Sequence, residues 1–370
     1  MSHAPKRRIY ELDLLRGFFI CIIVLDHLQF WPSPLQYLTG QGRLWGSAAE
    51  GFFLISGLLI GYLRAYKGAS TPLGELSKGL LKRAGMLYIW CVGITFAVVA
   101  LTAILPGDGA QLPKLPEAGQ VSSLGTYVLN VVTTHFATDW IYFLRLYALM
   151  LAVTPLFLWL IRIGKWYLAL ALTVGTYVIS VATGFNEGAL QWQLLFFGAG
   201  LVGWKLETIL AWLRQRPRLR RGLIVGLITG ALSTMTLSYF MVHGWRVVEA
   251  PGAVFSRDAY VSVRASVDPL FSNNPLLPLR VALAFLWFTG LLALFHVLRP
   301  WLLRYFGWLL LPFGQASLSI YCAQALVLMP IVTYLPVTGS FWLNGLIGVL
   351  VVLLFAGLLR IPVVRRVLPR

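Results

Sequence analysis

The sequence predicts an all-α polytopic membrane protein, about ten transmembrane helices in one bundle with both termini cytoplasmic. Three observations carry that expectation. The 370 residues are 58% hydrophobic and only 12% charged, with a mean hydropathy of +0.78, whereas soluble domains hold about 25% charged residues. The apolar residues gather in long continuous runs, not in the short alternating segments of a β-barrel. Most of the 30 Lys and Arg residues fall on alternate connections between those runs.

The first run, Leu14–Trp31, follows Lys6, Arg7 and Arg8 as a secretory signal would. Asp26 and His27 interrupt it, however, and the small residues Ser47, Ala48 and Ala49 lie too far on to mark a cleavage site. It is read as a retained first helix. Gly51–Tyr66 is short for a span and borrows residues from its flanks. Ala84–Leu105, Ile141–Ile161, Trp166–Thr183 and Trp192–Leu210 follow, then Gly222–Val242, Arg280–Leu298, Ser317–Tyr334 and Trp342–Leu359. Most can cross about 30 Å of hydrocarbon. Residues 1–370 read as one domain. The two longest connections, about 106–140 and 243–279, are rich in Pro, Gly, Ser and Asn and read as external loops.

A net charge of +17 and a pI near 10.1 suit nucleic-acid binding only where a basic face lies on a water-soluble surface. Here Arg64, Lys78, Lys82, Arg83, Arg162, Lys165, the run Arg214–Arg221, Arg299, Arg304 and the residues from Arg360 on lie between apolar runs. The opposite connections hold Arg43, Lys114, Arg246, Arg257 and Arg264. This is the positive-inside pattern, and the partner it implies is the lipid bilayer, not nucleic acid. Cys21, Cys91 and Cys322 each fall within an apolar run without CxxC spacing, so neither a disulfide framework nor a zinc or other metal site is expected.

Ionisable residues inside a membrane are costly and mark functional sites. Asp13 and Arg16 are three residues apart and pair on one helical face. His27 lies eleven residues after Arg16; eleven steps turn the helix by about 1100° and raise it about 16.5 Å, so the two look the same way at different depths. That geometry suits a ligand with an anionic head in the cytosol and a reactive end within the bilayer. Asp26 points about 100° away from His27 and is a poor partner for it. Glu50 enters the second span at a similar depth and is the better candidate to orient the imidazole.

Several stretches resemble the acyltransferase-3 family of integral membrane O-acyltransferases. They are ELDLLRG, the Arg16 to His27 spacing, AAEGFFLISG, FLRLYALMLAVTPLFLWL, WQLLFFGAGLVGW, LPLR and FGQASLSIYCAQ. Within that family the chain is most similar to the branch that succinylates osmoregulated periplasmic glucans. The resemblance implies a ten-helix enzyme of the bacterial inner membrane that takes an acyl group, succinyl favoured, from cytoplasmic acyl-CoA to a hydroxyl of a periplasmic glucan. Acyl-CoA is then a co-substrate, and no permanently bound cofactor is implied. Arg16 would hold the anionic part of CoA and His27 would sit at the transfer centre. Lys82 and Arg83 match a basic motif that opens the third span in relatives; a second Arg often follows there, where this chain has Met86 and Leu87. Many relatives place a His where this chain has Gln324.

The chemistry is consistent with that assignment. A sugar hydroxyl is a weak nucleophile, and a neutral imidazole can remove its proton as it attacks a thioester. The developing oxyanion needs fixed donors in a dry site, for which Ser56 and Arg145 are candidates. Helix packing for Ser56, and pairing of Arg145 with a neighbouring carboxylate, stand as the structural alternatives. Ser317, Tyr321 and Gln324 share one face of the ninth span, where interhelical packing is the expected role. His135 and Asp139 reproduce a His-x-x-x-Asp spacing at the external edge, out of reach of CoA, and stand as an acceptor-side candidate. His243 and His296, at helix ends, read as solvated at the interface. An acetyltransferase acting on another envelope glycan is the alternative enzyme. The reading of a different class is a transporter or flippase for an anionic envelope precursor.

Overall fold

The computed structural model describes residues 9–105, 123–185, 187–249 and 256–362. Lys6, Arg7, Arg8, Lys114 and the basic residues beyond 362 lie outside the described residues, as does the first half of the 106–140 connection. The fold is all-α, and an isolated bridge between Asn273 and Leu276 is the nearest approach to β-structure among the described residues.

Among the described residues, eight helices are long and apolar enough to cross a membrane, and a bent pair adds a ninth. In chain order, with the helix that precedes them, the main elements are α1 Tyr10–Leu28, α2 Ala48–Ile60, α3 Leu73–Ile104, α4 Tyr142–Arg162, α5 Trp166–Thr183, α6 Gly188–Trp204, α7 Pro217–His243 and α8 Pro278–Val297. Then come α9 Gly307–Gln315, α10 Ser317–Tyr334 and α11 Phe341–Leu358. α2 runs on as a π-helical turn, Gly61–Tyr66, and with Ala48, Ala49 and Glu50 borrowed from the N-terminal flank the stretch reaches 19 residues, Ala48–Tyr66. The bent pair is α6 with Leu206–Arg214, broken by 55°. The first apolar run falls on α1, a 19-residue helix set apart from the other spans by Glu11, Asp13, Arg16 and Asp26.

α1 is central. It packs on α2, α8, α9, α10 and α11, and Leu14, Leu15, Ile20 and Val24 are fully enclosed. Glycine sets its closest contact: a Cβ on Gly17 would overlap the carbonyl oxygen of Leu310 in α9, and one on Gly314 would overlap the carbonyl of Asp13. Small residues let helix backbones approach this closely in a membrane, where dispersion rather than water exclusion drives association. The same device joins α2 to α6, with Gly57 on the carbonyl of Phe196, Gly61 on that of Gly200 and Gly203 on that of Leu58. At its start α1 is tied to the end of α8, where Glu11 accepts from His296 at 3.0 Å and from Arg299 at 3.2 Å.

The described parts of the second long connection hold regular structure. Residues 243–279 carry short helices at Trp245–Val248 and Arg257–Val267 and a 3-10 turn at Asp268–Phe271. Trp45 locks this connection to the first one: its ring stacks on Phe271 at 4.2 Å, its indole N–H donates to Asp268 at 2.9 Å, and its backbone N–H donates to Ser238 at 2.9 Å. His243 and His296, expected to be solvated, are both engaged, His243 with the carbonyl oxygen of Gly40 at 3.0 Å.

Candidate functional site

Where α1, α2, α3, α4 and α10 converge, they line a cavity. Arg16 reaches it from α1, Ser56 from α2 and Arg83 from α3. Three residues singled out on separate helices thus share one space. Arg16 is held by a hydrogen bond from its Nη2 to Ser317 Oγ of α10 at 2.9 Å, and Asp13 lies close enough to balance part of its charge. The Nε atoms of Arg16 and Arg83 are buried without hydrogen-bond partners among the described residues. Leaving a buried donor unmade costs about 1–3 kcal/mol, more when it is charged, and the two guanidiniums also repel each other. An anion seated between them would satisfy both donors and remove the repulsion through charge-assisted hydrogen bonds.

Ile23 continues the cavity wall two turns above Arg16, and His27 follows one turn further on the same face. The imidazole stacks on Trp140 with ring centroids 5.6 Å apart and planes 12° off parallel. Its Nδ1 is shut off from solvent without a partner. Gln324 of α10 is its polar neighbour, near enough to act on the imidazole, although neither buried amide atom reaches close hydrogen-bond geometry among the described residues. A loose arrangement of this kind is common in empty sites and tightens when substrate arrives.

Other expected residues lie elsewhere. Glu50 does not orient His27. Its Oε1 accepts from Arg280 Nε at 2.6 Å, and its Oε2 accepts from Ser47, closing a capping box at the start of α2. Both oxygens are committed because a carboxylate in the first turn of a helix satisfies the open N–H groups there. The buried Arg280, absent from the sequence-level assignments, claims the remaining charge. Arg145 takes its alternative role and pairs with Glu187 at 3.2 Å. Lys82 is exposed and outside the cavity wall, one residue from Arg83. His135 and Asp139 are exposed, and His135 Nδ1 bonds the hydroxyl of Thr133 at 2.8 Å.

The polar stripe on α10 is more than packing. Ser317 holds Arg16, and Tyr321 lines the cavity with its hydroxyl buried and unpartnered. Their i, i+4 spacing was visible; that α10 faces α1 was not. Tyr147 of α4 also lines the cavity and interacts with Arg16. No motif signalled it.

The model of one protein family, described as OpgC protein, matches residues 8–362, nearly the whole chain and every element of the site. Neither a curated relative nor a solved structure matches it significantly.

Proposed function

The chain belongs to the OpgC protein family, osmoregulated periplasmic glucan succinyltransferases that reside in membranes, and on that premise we propose that it moves a succinyl group from cytoplasmic acyl-CoA to a glucan hydroxyl on the periplasmic side of the inner membrane. The mechanism follows the acyltransferase-3 pattern. One observation carries the reading: two arginines with open donors meet in a cavity that ends one helical turn short of a histidine with an open ring nitrogen.

The phosphates of CoA sit at Arg16 and Arg83, with Lys82 at the exposed rim. The pantetheine arm runs past Ile23 and brings the thioester to His27. About 16.5 Å separates the two depths on α1, a span comparable to that of the extended arm. The imidazole takes the proton from the sugar hydroxyl as its oxygen attacks the thioester carbonyl. The C–O bond forms, the C–S bond breaks, and the thiolate of CoA receives the proton from the imidazolium. Ser56 and Tyr321 are the hydroxyl donors that face the developing oxyanion. Trp140 fixes the plane of the imidazole by stacking, a contact of about 0.5–1.5 kcal/mol.

Purified protein in proteoliposomes, given succinyl-CoA and a linear β-glucan, should release free CoA only when glucan is present. His27→Ala and His27→Gln should lower that release by about 10²–10⁴-fold, the usual loss of a positioned base, while CoA binding persists. Turnover near wild type in either variant would remove His27 from the chemistry. Glucan-dependent transport without CoA release would favour the transporter reading instead.

A further inference from the structure

A second cavity lies on an adjoining face of α1, about 100° round the helix from the Arg16–His27 face. Phe18, Phe19, Ile22 and Asp26 of α1 line it, with Leu232 and Met235 of α7 and Ala284, Phe288 and Leu291 of α8. The α1–α2 pair is therefore a septum. Arg16, Ile23, Ala49 and Ser56 face one cavity, whereas Ile22, Asp26, Ala48 and Gly51 face the other.

The second cavity is polarised along its length. Phe18 and Asp26 are eight residues apart, about 12 Å along the helix. The Phe18 end is hydrocarbon and aromatic, flanked by Leu291 and Leu232. The Asp26 end lies beneath the 36–47 connection and carries Thr39 and Ser47. Glu50 also reaches the wall, but Arg280 and Ser47 already hold it. Asp26 is different: Thr39 lies against the carboxylate, while Oδ1 is buried with no partner. A buried acceptor left unmade costs about 1–3 kcal/mol, more for a charged group, and needs an explanation in a folded protein.

We propose that this cavity binds an amphiphile, with its alkyl chain between α1, α7 and α8 and a head group that donates hydrogen bonds to Asp26. The hydrocarbon end is too apolar for a free sugar or nucleotide, and its length takes roughly eight to ten methylenes. The unmade Asp26 acceptor favours an ammonium or hydroxyl head, which can donate to it, over a head whose outermost group is a phosphate. Leu232 is 44% exposed on the outer face of α7, which opens the hydrocarbon end toward surrounding lipid. The occupant braces the helix whose adjoining face carries Arg16 and His27.

Native mass spectrometry of the full-length protein tests the proposal after incubation with phosphatidylethanolamine, monoolein or phosphatidic acid vesicles. Wild type should retain an ammonium or hydroxyl lipid at least tenfold over phosphatidic acid. Asp26→Asn removes the charge but keeps the shape. Loss of phosphatidylethanolamine alone identifies the ammonium head as the ligand, and loss of monoolein alone identifies the hydroxyl head. Leu232→Trp, on a lipid-exposed position, fills the hydrocarbon end and should abolish retention of both while helical circular dichroism is unchanged. No preference over phosphatidic acid in wild type, or undiminished retention in Leu232→Trp, overturns the proposal. CoA release is not part of the readout, so the result stands apart from the acyl-transfer reading.

Discussion

Glu50→Gln separates a structural carboxylate from a catalytic one. Gln keeps the shape and still serves at the third position of a capping box, so the helix start is preserved and only charge is lost. What remains is Arg280, whose side chain is 8% exposed and whose other contact is the carbonyl of Phe271 at 3.0 Å. Breaking a buried ion pair from one side costs about 3–5 kcal/mol, because the surviving charge is stranded. At about 2 °C per kcal/mol for a large domain, the variant should melt roughly 6–10 °C below wild type in a detergent thermal-shift assay. Arg280→Met should fall by a similar amount, and the double variant Glu50→Gln with Arg280→Met should recover much of the loss, since no charge is stranded. CoA binding at Arg16 should be unchanged in all three. A Glu50→Gln protein that melts like wild type yet no longer transfers acyl groups would refute this reasoning and return Glu50 to the imidazole.

Three further outcomes follow from the same geometry. Arg16→Ala should weaken acyl-CoA binding by about 1.5–3 kcal/mol, the range of a hydrogen bond to a charged group, with Arg16→Lys between it and wild type because Lys lacks the planar fork; calorimetric titration with CoA reads the order directly. Gly17→Val should destabilise by at least the roughly 1–3 kcal/mol of ordinary overpacking, since it meets backbone that no rotamer can move, whereas Gly226→Ala, with nothing within 4 Å, should be neutral or stabilising. A reporter fused after Arg370 should read cytoplasmic and one inserted at residue 116 periplasmic, and the reverse pattern would part the CoA site from the cytosol.

What could be read from the sequence follows from how local each signal is. The spans were legible because a run of apolar residues is a property of adjacent positions, and all ten runs fall on helices. The Arg16–His27 face was legible because helical periodicity alone fixes it. Partner choice was not. Glu50 pairs with a residue 230 positions away; the stretches AAEGFFLISG and LPLR each stood out, but nothing in either says that Glu50 and Arg280 meet. The α9 helix was hidden for a related reason. GWLLLPFGQ is too short to register as a span, and its Gly314 acquires meaning only against the backbone of α1. The stripe on α10 was visible as a stripe, and the direction it faces is a tertiary fact.

The glycine contacts between α1 and α9 also constrain how the protein measures its substrate. Because Gly17 and Gly314 each rest on main-chain carbonyls, the two helices are meshed tooth against tooth, and α1 cannot slide by a fraction of a turn without one of those contacts colliding. The nearest equivalent register is a full turn away, about 5.4 Å. Arg16 and His27 share α1. Under the proposed function the interval between the head-group end and the imidazole is therefore set by the helix itself, and this meshing holds that gauge in place. An acyl carrier with a shorter or longer arm than CoA would bind its head correctly and present its thioester beside Ile23 or beyond His27. Such a carrier would act as a dead-end inhibitor, not as a slow substrate.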